Sequence, residues 1–210
     1  MNLLAHAYLS QHHPKILLGN MLGDDVKGKQ IVLYPPMVRV GIQLHRYIDS
    51  YTDQQPQLSK AKDLFRPYVG LYAGALTDIS MDYFLARDPA IHTYTEWQNF
   101  AQWAYQQLQY ESSWHSGGFK RYFPYLKSEN WFIKYRDTDF IKGSMTNLLK
   151  RTRQQEKTPF VLSAFDQHQQ ILKESYQAFF PLLQAYVSRM VAQLTLNIPG
   201  SQFPTKSIDF

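Results

Sequence analysis

The sequence predicts an all-α fold in one domain, and three observations carry that expectation. Apolar residues recur at helical spacing along most of the chain, while no alternating run long enough for a half-buried strand occurs. At 210 residues and 44% hydrophobic, 15% aromatic content, the chain has the apolar area for one good-sized core. It contains no cysteine, so neither disulfides nor thiolate metal sites shape the fold, and a metal here must use His, Asp, Glu or water.

Taken in order, residues 2–10 read as a short helix in which Leu3, Leu4 and Ala7 pack with His6 among them, so that His6 is either a packed core residue or a metal ligand. Residues 15–28 set Gly19, Asn20, Gly23, Asp24 and Asp25 inside an apolar segment, where glycines permit close backbone approach and acids stand where a core is expected. The next helix is read from Pro35 to Asp53. Two prolines suit a first turn that needs no N–H donors, and Val38, Ile42 and Ile48 form an apolar stripe. On it His45, Asp49 and Asp53 follow one another at intervals of four, on one helix face.

After Gln54-Gln55-Pro56, residues 57–66 resume the helical pattern with Lys60, Lys62 and Arg66 on a basic face. Residues 68–86 are apolar nearly all round and read as a central helix, yet contain Asp78 and Asp82, four apart. Carboxylates in such a helix are costly to desolvate and imply a partner. Trp97, Phe100, Trp103, Tyr105 and Leu108 give an aromatic helix over 95–112 whose spacing is ordinary core packing. A loop at Ser116-Gly117-Gly118 leads to short segments at 119–125 and 129–134, and an Asp-based cap near Asp137 opens a helix from 139 to about 151. Lys150 to Lys157 reads as an exposed connection. One long helix over 159–195 is expected, kinked at Pro181, with His168 packed in its apolar stripe. The domain is therefore expected over 1–196, and 197–210, with Pro199, Gly200 and Pro204, as an irregular tail.

Charge is uneven. Residues 120–157 hold ten Lys or Arg against four acids, in a chain of net charge +5, and such a sector attracts polyanions. The amino-terminal segment lacks the basic flank and long apolar run of a signal peptide, and no stretch is long enough to cross a bilayer, so a cytoplasmic protein with no membrane partner is expected. Nucleic-acid binding would rest on charge alone and is not expected.

His6, Asp24, His45, Asp49, Asp78 and Asp82 fall on four separate helices, each flanked by apolar residues that turn it inward. Imidazoles and carboxylates converging in this way suit a hard or borderline cation, Mn²⁺ or Mg²⁺, and metal-assisted hydrolysis of a phosphate ester, with Arg46 or Lys27 on the non-bridging oxygens.

Five segments resemble the bacterial acyl carrier protein phosphodiesterases: Asn2-Leu-Leu-Ala-His6, Gly19-Asn20-Met-Leu-Gly-Asp24, Pro36 through Gly41-Ile-Gln-Leu-His45-Arg46-Tyr-Ile-Asp49 with Thr52-Asp53, Asp78-Ile-Ser-Met-Asp82-Tyr-Phe-Leu, and Trp131-Phe-Ile-Lys-Tyr-Arg136-Asp137-Thr-Asp139-Phe-Ile. The likeness runs in order from residue 1 to about 195. It implies an all-helical fold like that of the HD phosphohydrolases and manganese-dependent removal of 4′-phosphopantetheine from an acidic holo acyl carrier protein. It also implies that Asp24, His45, Asp49, Asp78 and Asp82 do the work. Combined with the residue reading, the expected metal ligands are His6, Asp24, His45 and Asp78, and the expected catalytic groups Asp24, His45, Asp49 and Asp82. Substrate binding falls to Lys27, Arg46 and Arg136. The carrier is expected to land on the basic sector and on Lys60, Lys62 and Arg66. Two positions depart from the family pattern, Tyr83 in place of a His and Asp25 in place of an apolar residue, so a different small phosphodiester or a non-catalytic carrier-binding role stands as the alternative.

Overall fold

A computed structural model describes residues 1–196 and residue 198, all in helices, turns and connections with no strand among them. The eleven α-helices are α1 (Leu3–Tyr8), α2 (Pro14–Leu22), α3 (Pro36–Asp53), α4 (Ser59–Val69), α5 (Ala73–Arg87), α6 (Tyr94–Tyr110), α7 (Gly117–Ser128), α8 (Trp131–Lys134), α9 (Thr138–Arg151), α10 (Thr158–Gln167) and α11 (Gln169–Thr195). The all-α expectation holds. The tail expected beyond residue 196 lies, Ile198 apart, outside the described residues.

Local chemistry explains the helix ends. Asn2 caps α1 by accepting from the Leu3 N–H, Pro14 occupies the first turn of α2, and Pro36 that of α3. Thr93 and Glu96 cap α6 reciprocally, and the Asp137 carboxylate accepts from the Asp139 N–H to open α9, where the sequence placed an Asp-based start.

The core is organised on α5, whose residues from Ile79 to Ala86 are all buried, in keeping with a segment apolar on every side. It touches α1, α4, α9 and α11, and α11 in turn spans α3 and α4. The closest helix pair is α2 with α3. Trp97, Phe100, Tyr105 and Leu108 of α6 are buried as core, and Tyr105 stacks on Phe132 at 5.0 Å between ring centres. No helix among the described residues is long and apolar enough to cross a membrane.

One expected element divides. The stretch 159–195 forms two helices, because His168 leaves helical geometry at φ −115°, ψ 27°. The polar run around it offers no apolar face to hold a straight helix. The side-chain amide of Gln169 donates to the Phe165 carbonyl at 2.8 Å, the acceptor its own backbone N–H would have used. At Pro181 the helix continues, with the ring on its exposed side.

Candidate metal centre

The site begins with two glycines. A Cβ on Gly19 would lie 2.0 Å from the Val38 carbonyl oxygen, and one on Gly41 would lie 2.2 Å from the Ile16 carbonyl oxygen. Only hydrogen at both positions lets α2 and α3 cross at this distance. The crossing sets Asn20, one residue beyond Gly19, against His45, four beyond Gly41. Gly23 then makes room for the His45 ring, whose Cγ would stand 2.1 Å from a Cβ there.

Asn20 is fully buried and fixes both histidines. Its side-chain Nδ2 donates to the His6 carbonyl at 2.7 Å and to Ser10 Oγ at 3.1 Å, which leaves Oδ1 as the acceptor for His6 Nδ1 at 2.8 Å. Its backbone carbonyl accepts from His45 Nδ1, also at 2.8 Å. Each imidazole is thereby held with the proton on Nδ1 and the lone pair on Nε2. The rings stack at 4.1 Å between centres and 20° between planes, so both lone pairs emerge on the same side.

Both meet Asp49, whose Oδ1 is 3.1 Å from His6 Nε2 and whose Oδ2 is 3.1 Å from His45 Nε2. Asp24 Oδ1 stands 3.4 Å from His45 Nε2. One ligand atom from each of His6, His45 and Asp49 lies within 4.8 Å of the other two. Neighbouring ligands at about 2.1 Å from one ion and a right angle apart are separated by about 3.0 Å, which the two Nε2–carboxylate distances match. His45 Nε2 is buried and, close as the two carboxylates stand, no hydrogen bond of ordinary geometry reaches it, so its lone pair is left for another partner. The donor set, two imidazoles and a carboxylate with oriented Nε2 atoms, fits a divalent cation.

Without a cation, a proton is the substitute. Burial opposes charge on His45, but Asp24 and Asp49 outweigh it and push its pKa up to about 9. His6 moves the other way, lowered first by burial and then by the neighbouring His45. Asp49, although burial resists its ionisation, is held well below the usual carboxylate range by the two histidines. The Asp24 carboxyl is also lowered, chiefly by His45, and its side chain is largely exposed.

The other expected site residues divide into those that face this group and those that do not. A cavity of about 270 Å³ beside it is lined by Met1, Asp24, Asp49, Asp53 and Asp78, which sets Asp78 on the same cavity as Asp24 and Asp49. Asp78 also pairs with the Met1 amino group at 3.1 Å. Asp82, expected to carry chemistry, is buried beneath α1, where its two oxygens accept from the backbone N–H groups of Asn2, Leu4 and Ala5 at 3.1, 2.8 and 3.3 Å. It ties the first turn of α1, and hence His6, to α5. Burial pushes its pKa up to about 7 against those donors.

Arg46 borders the centre from its position beside His45 and donates to the Val26 carbonyl at 2.9 Å, while Lys27 is exposed at the end of the same segment. The Arg136 guanidinium lies 4.6 Å over the Tyr94 ring and does not line the cavity. Of the cations expected to receive a carrier, Arg66 is paired with Asp63, Lys62 donates to the Asp53 carbonyl, and Lys142 is paired with Asp166.

Both departures from the family pattern have structural roles. Tyr83 packs edge-on against Phe84 and Phe165, with its hydroxyl 3.2 Å from Thr138 Oγ1. Asp25 accepts from Ser116 Oγ and the Phe119 N–H at the start of α7. Asn20 is the functional residue that pattern reading left without a role. Its signal was a fully polar amide between two glycines in an apolar helix, since a buried amide needs partners for every donor and acceptor.

Comparisons with known proteins identify the family. The family model described as acyl carrier protein phosphodiesterase matches residues 1–183. The protein named acyl carrier protein phosphodiesterase in Salmonella agona is 32% identical over 190 residues, covering 90% of this chain and 98% of the relative. Those of Salmonella dublin and Salmonella newport have the same identity and coverage. No solved structure matches the chain. Because the family match runs from the first residue across the crossing that carries Asn20, His45 and Asp49 and on into α11, the chain belongs to the acyl carrier protein phosphodiesterase family.

Proposed function

We propose that the protein is a divalent-metal-dependent phosphodiesterase that cleaves 4′-phosphopantetheine from holo acyl carrier protein, giving apo carrier. The observation that carries the reading is the pair of Nε2 atoms held toward Asp49 by two acceptors on one buried asparagine. The names of the relatives supply the substrate. His6, His45 and Asp49 would hold the cation, Mn²⁺ or alternatively Mg²⁺, with Asp24 and Asp78 at its open side.

A bound cation would supply Lewis acidity toward the phosphodiester. That contribution matters here because the cavity wall is a ring of carboxylates, Asp24, Asp49, Asp53 and Asp78, which by itself repels a phosphate. The chain's own groups then divide the remaining tasks. Asp24, ionised and open to solvent at the rim, accepts the proton from an attacking water. Arg46, anchored through the Val26 carbonyl, binds a non-bridging phosphoryl oxygen, and Lys27 meets the phosphate from the solvent side. Asn20 orients the imidazoles throughout. An acyl carrier protein as substrate suits a cytoplasmic enzyme.

Incubating purified protein with holo carrier and Mn²⁺ is expected to release 4′-phosphopantetheine, read as the mass change from holo to apo carrier, and chelator is expected to stop it. Asp49→Asn should abolish turnover. Turnover of small phosphodiesters with none of holo carrier would overturn the carrier as substrate, and full activity in Asp49→Asn would overturn the site.

A further inference from the structure

Just beyond the metal centre the chain turns outward in a 3-10 segment, Gly28–Leu33, which leaves two large apolar side chains in solvent: Val32 is 64% and Leu33 71% exposed. The turn is built. Gly28 takes φ +50°, and the Lys27 N–H donates to Gln30 Oε1 at 3.0 Å. Facing it across a cavity of about 430 Å³ is the start of α7, and Asp25 bolts the two walls together through its bonds from Ser116 Oγ at 2.5 Å and the Phe119 N–H at 2.6 Å. A Cβ at Gly118 would sit 2.1 Å from the Asp25 carboxylate, so the close approach is fixed from both sides.

Cations flank the lining residues in the chain: Lys29 precedes Gln30, and Lys120 and Arg121 follow Gly118 early in α7; all three are exposed, and among the described residues none of them is ion-paired. The acid between the walls, Asp25, is occupied by its two donors. Monomer surfaces seldom spend large apolar side chains in solvent beside charges of one sign unless a partner covers them. The face also joins the site. Asp24 of the centre and Asp25 of the cavity are consecutive, with Cα atoms about 3.8 Å apart, and Arg46 reaches from beside His45 to the Val26 carbonyl in the cavity wall.

We propose that this concave face docks the acyl carrier protein, acidic side chains of the carrier meeting Lys29, Lys120 and Arg121 while an apolar residue of the carrier covers Val32 and Leu33. The inference rests on the function proposed above and narrows its partner surface to residues that the metal chemistry does not use. A carrier seated here delivers its serine-linked phosphodiester one residue away, at Asp24. Lipid headgroups would also meet cations and apolar side chains, but a concave cleft suits a projecting helix better than a flat bilayer.

The test uses apo acyl carrier protein, which lacks the phosphodiester and so reports docking apart from the metal centre, together with holo carrier for turnover. The combined Lys29→Glu, Lys120→Glu, Arg121→Glu variant, and separately Leu33→Asp, should each weaken apo-carrier binding about tenfold or more and raise KM for holo carrier similarly, with kcat changed less than about twofold. Added salt should raise KM for the unaltered protein and have less effect on the triple variant. Lys173→Glu, an exposed reversal on α11 outside the basic sector, serves as the control and should leave both values unchanged. Circular dichroism confirms that each variant is folded. If the unaltered protein cleaves holo carrier and the triple variant binds and cleaves equally well, the docking face is wrong and the function stands. If Lys173→Glu does the same damage, only overall charge matters and the face is equally wrong. Loss of binding to phosphatidylglycerol vesicles with carrier binding intact would assign the patch to membranes and overturn the proposal. An unaltered protein that neither binds nor cleaves any carrier overturns the function and the face together.

Discussion

Asn20 sets the chemistry at the smallest scale, because one amide and its carbonyl decide the tautomer of two imidazoles. Replacing it with leucine keeps the branched shape and removes the acceptor for His6 and both side-chain donations. Stability is expected to fall by about 2 kcal/mol, read by urea unfolding, since His6 Nδ1, the His6 carbonyl and Ser10 lose buried partners. Mn²⁺ affinity, read by calorimetry, should fall about 10–100-fold, because an unanchored ring no longer presents Nε2. A proton and the proposed cation would compete for the same atom. In the metal-free protein His45 is raised to about 9 from an ordinary value near 6.5. The folded state then holds a proton that the unfolded state has already lost. That contribution to stability is complete below about pH 6.5 and is lost as pH rises through about 9, on the order of 3 kcal/mol in all. Chemical denaturation of the metal-free protein across pH 6–10 should show the decline, and saturating Mn²⁺ should flatten it. A metal-free protein equally stable at pH 6.5 and 9.5 would contradict the assignment of that proton to His45.

Glycines separate packing from chemistry at the scale of elements. Gly19→Ala forces a methyl against the Val38 carbonyl, backbone on backbone, so α2 and α3 must part; a loss of about 3 kcal/mol and of metal binding together is expected. Gly23→Ala meets only the His45 ring, so it should cost metal affinity with a smaller loss of stability. Gly74 and Gly143 lie inside α5 and α9 with open space where a Cβ would go, and alanine at either should stabilise by about 0.5–1 kcal/mol. Thermal and urea unfolding of the four variants would check this order, and an unperturbed Gly19→Ala would sink the close-crossing account. The helices themselves were legible in sequence because period and proline placement are local signals, as α3 shows by starting at Pro36 and ending at Asp53. The break at His168 was not legible. No proline or glycine marks it, and it depends on the Gln169 side chain taking over a backbone acceptor.

For the whole molecule, the question is how residues far apart in sequence come to face one another across one centre. His45, Asp49 and Asp24 were legible as a group because a four-residue interval and a neighbouring acid on an apolar segment are visible without a fold. The division of labour among the remaining acids was not, because Asp78 and Asp82 lie one turn apart on the same face of α5 and differ only in what the fold sets against each. Asp78 opens on the cavity, while Asp82 accepts three N–H groups from residues 77 to 80 positions away. That difference predicts two kinds of variant. In Asp82→Asn one oxygen replaces two and an amide N–H₂ opposes a backbone donor, so the metal-free Tm should drop while a response to Mn²⁺ survives. In Asp49→Asn or His45→Gln the response itself should vanish. A cation bound only by the folded state stabilises by RT ln(1 + [M]/Kd), about 2.7 kcal/mol at one hundred times Kd, which for a domain of this size corresponds to about 5–10 °C in Tm. Calorimetric scans with chelator and with Mn²⁺ measure that interval directly. An interval of that size in the unaltered protein and in Asp82→Asn, absent from Asp49→Asn, ties the metal to the α1–α2–α3 centre. The same rise in Asp49→Asn would place the bound ion elsewhere on the molecule.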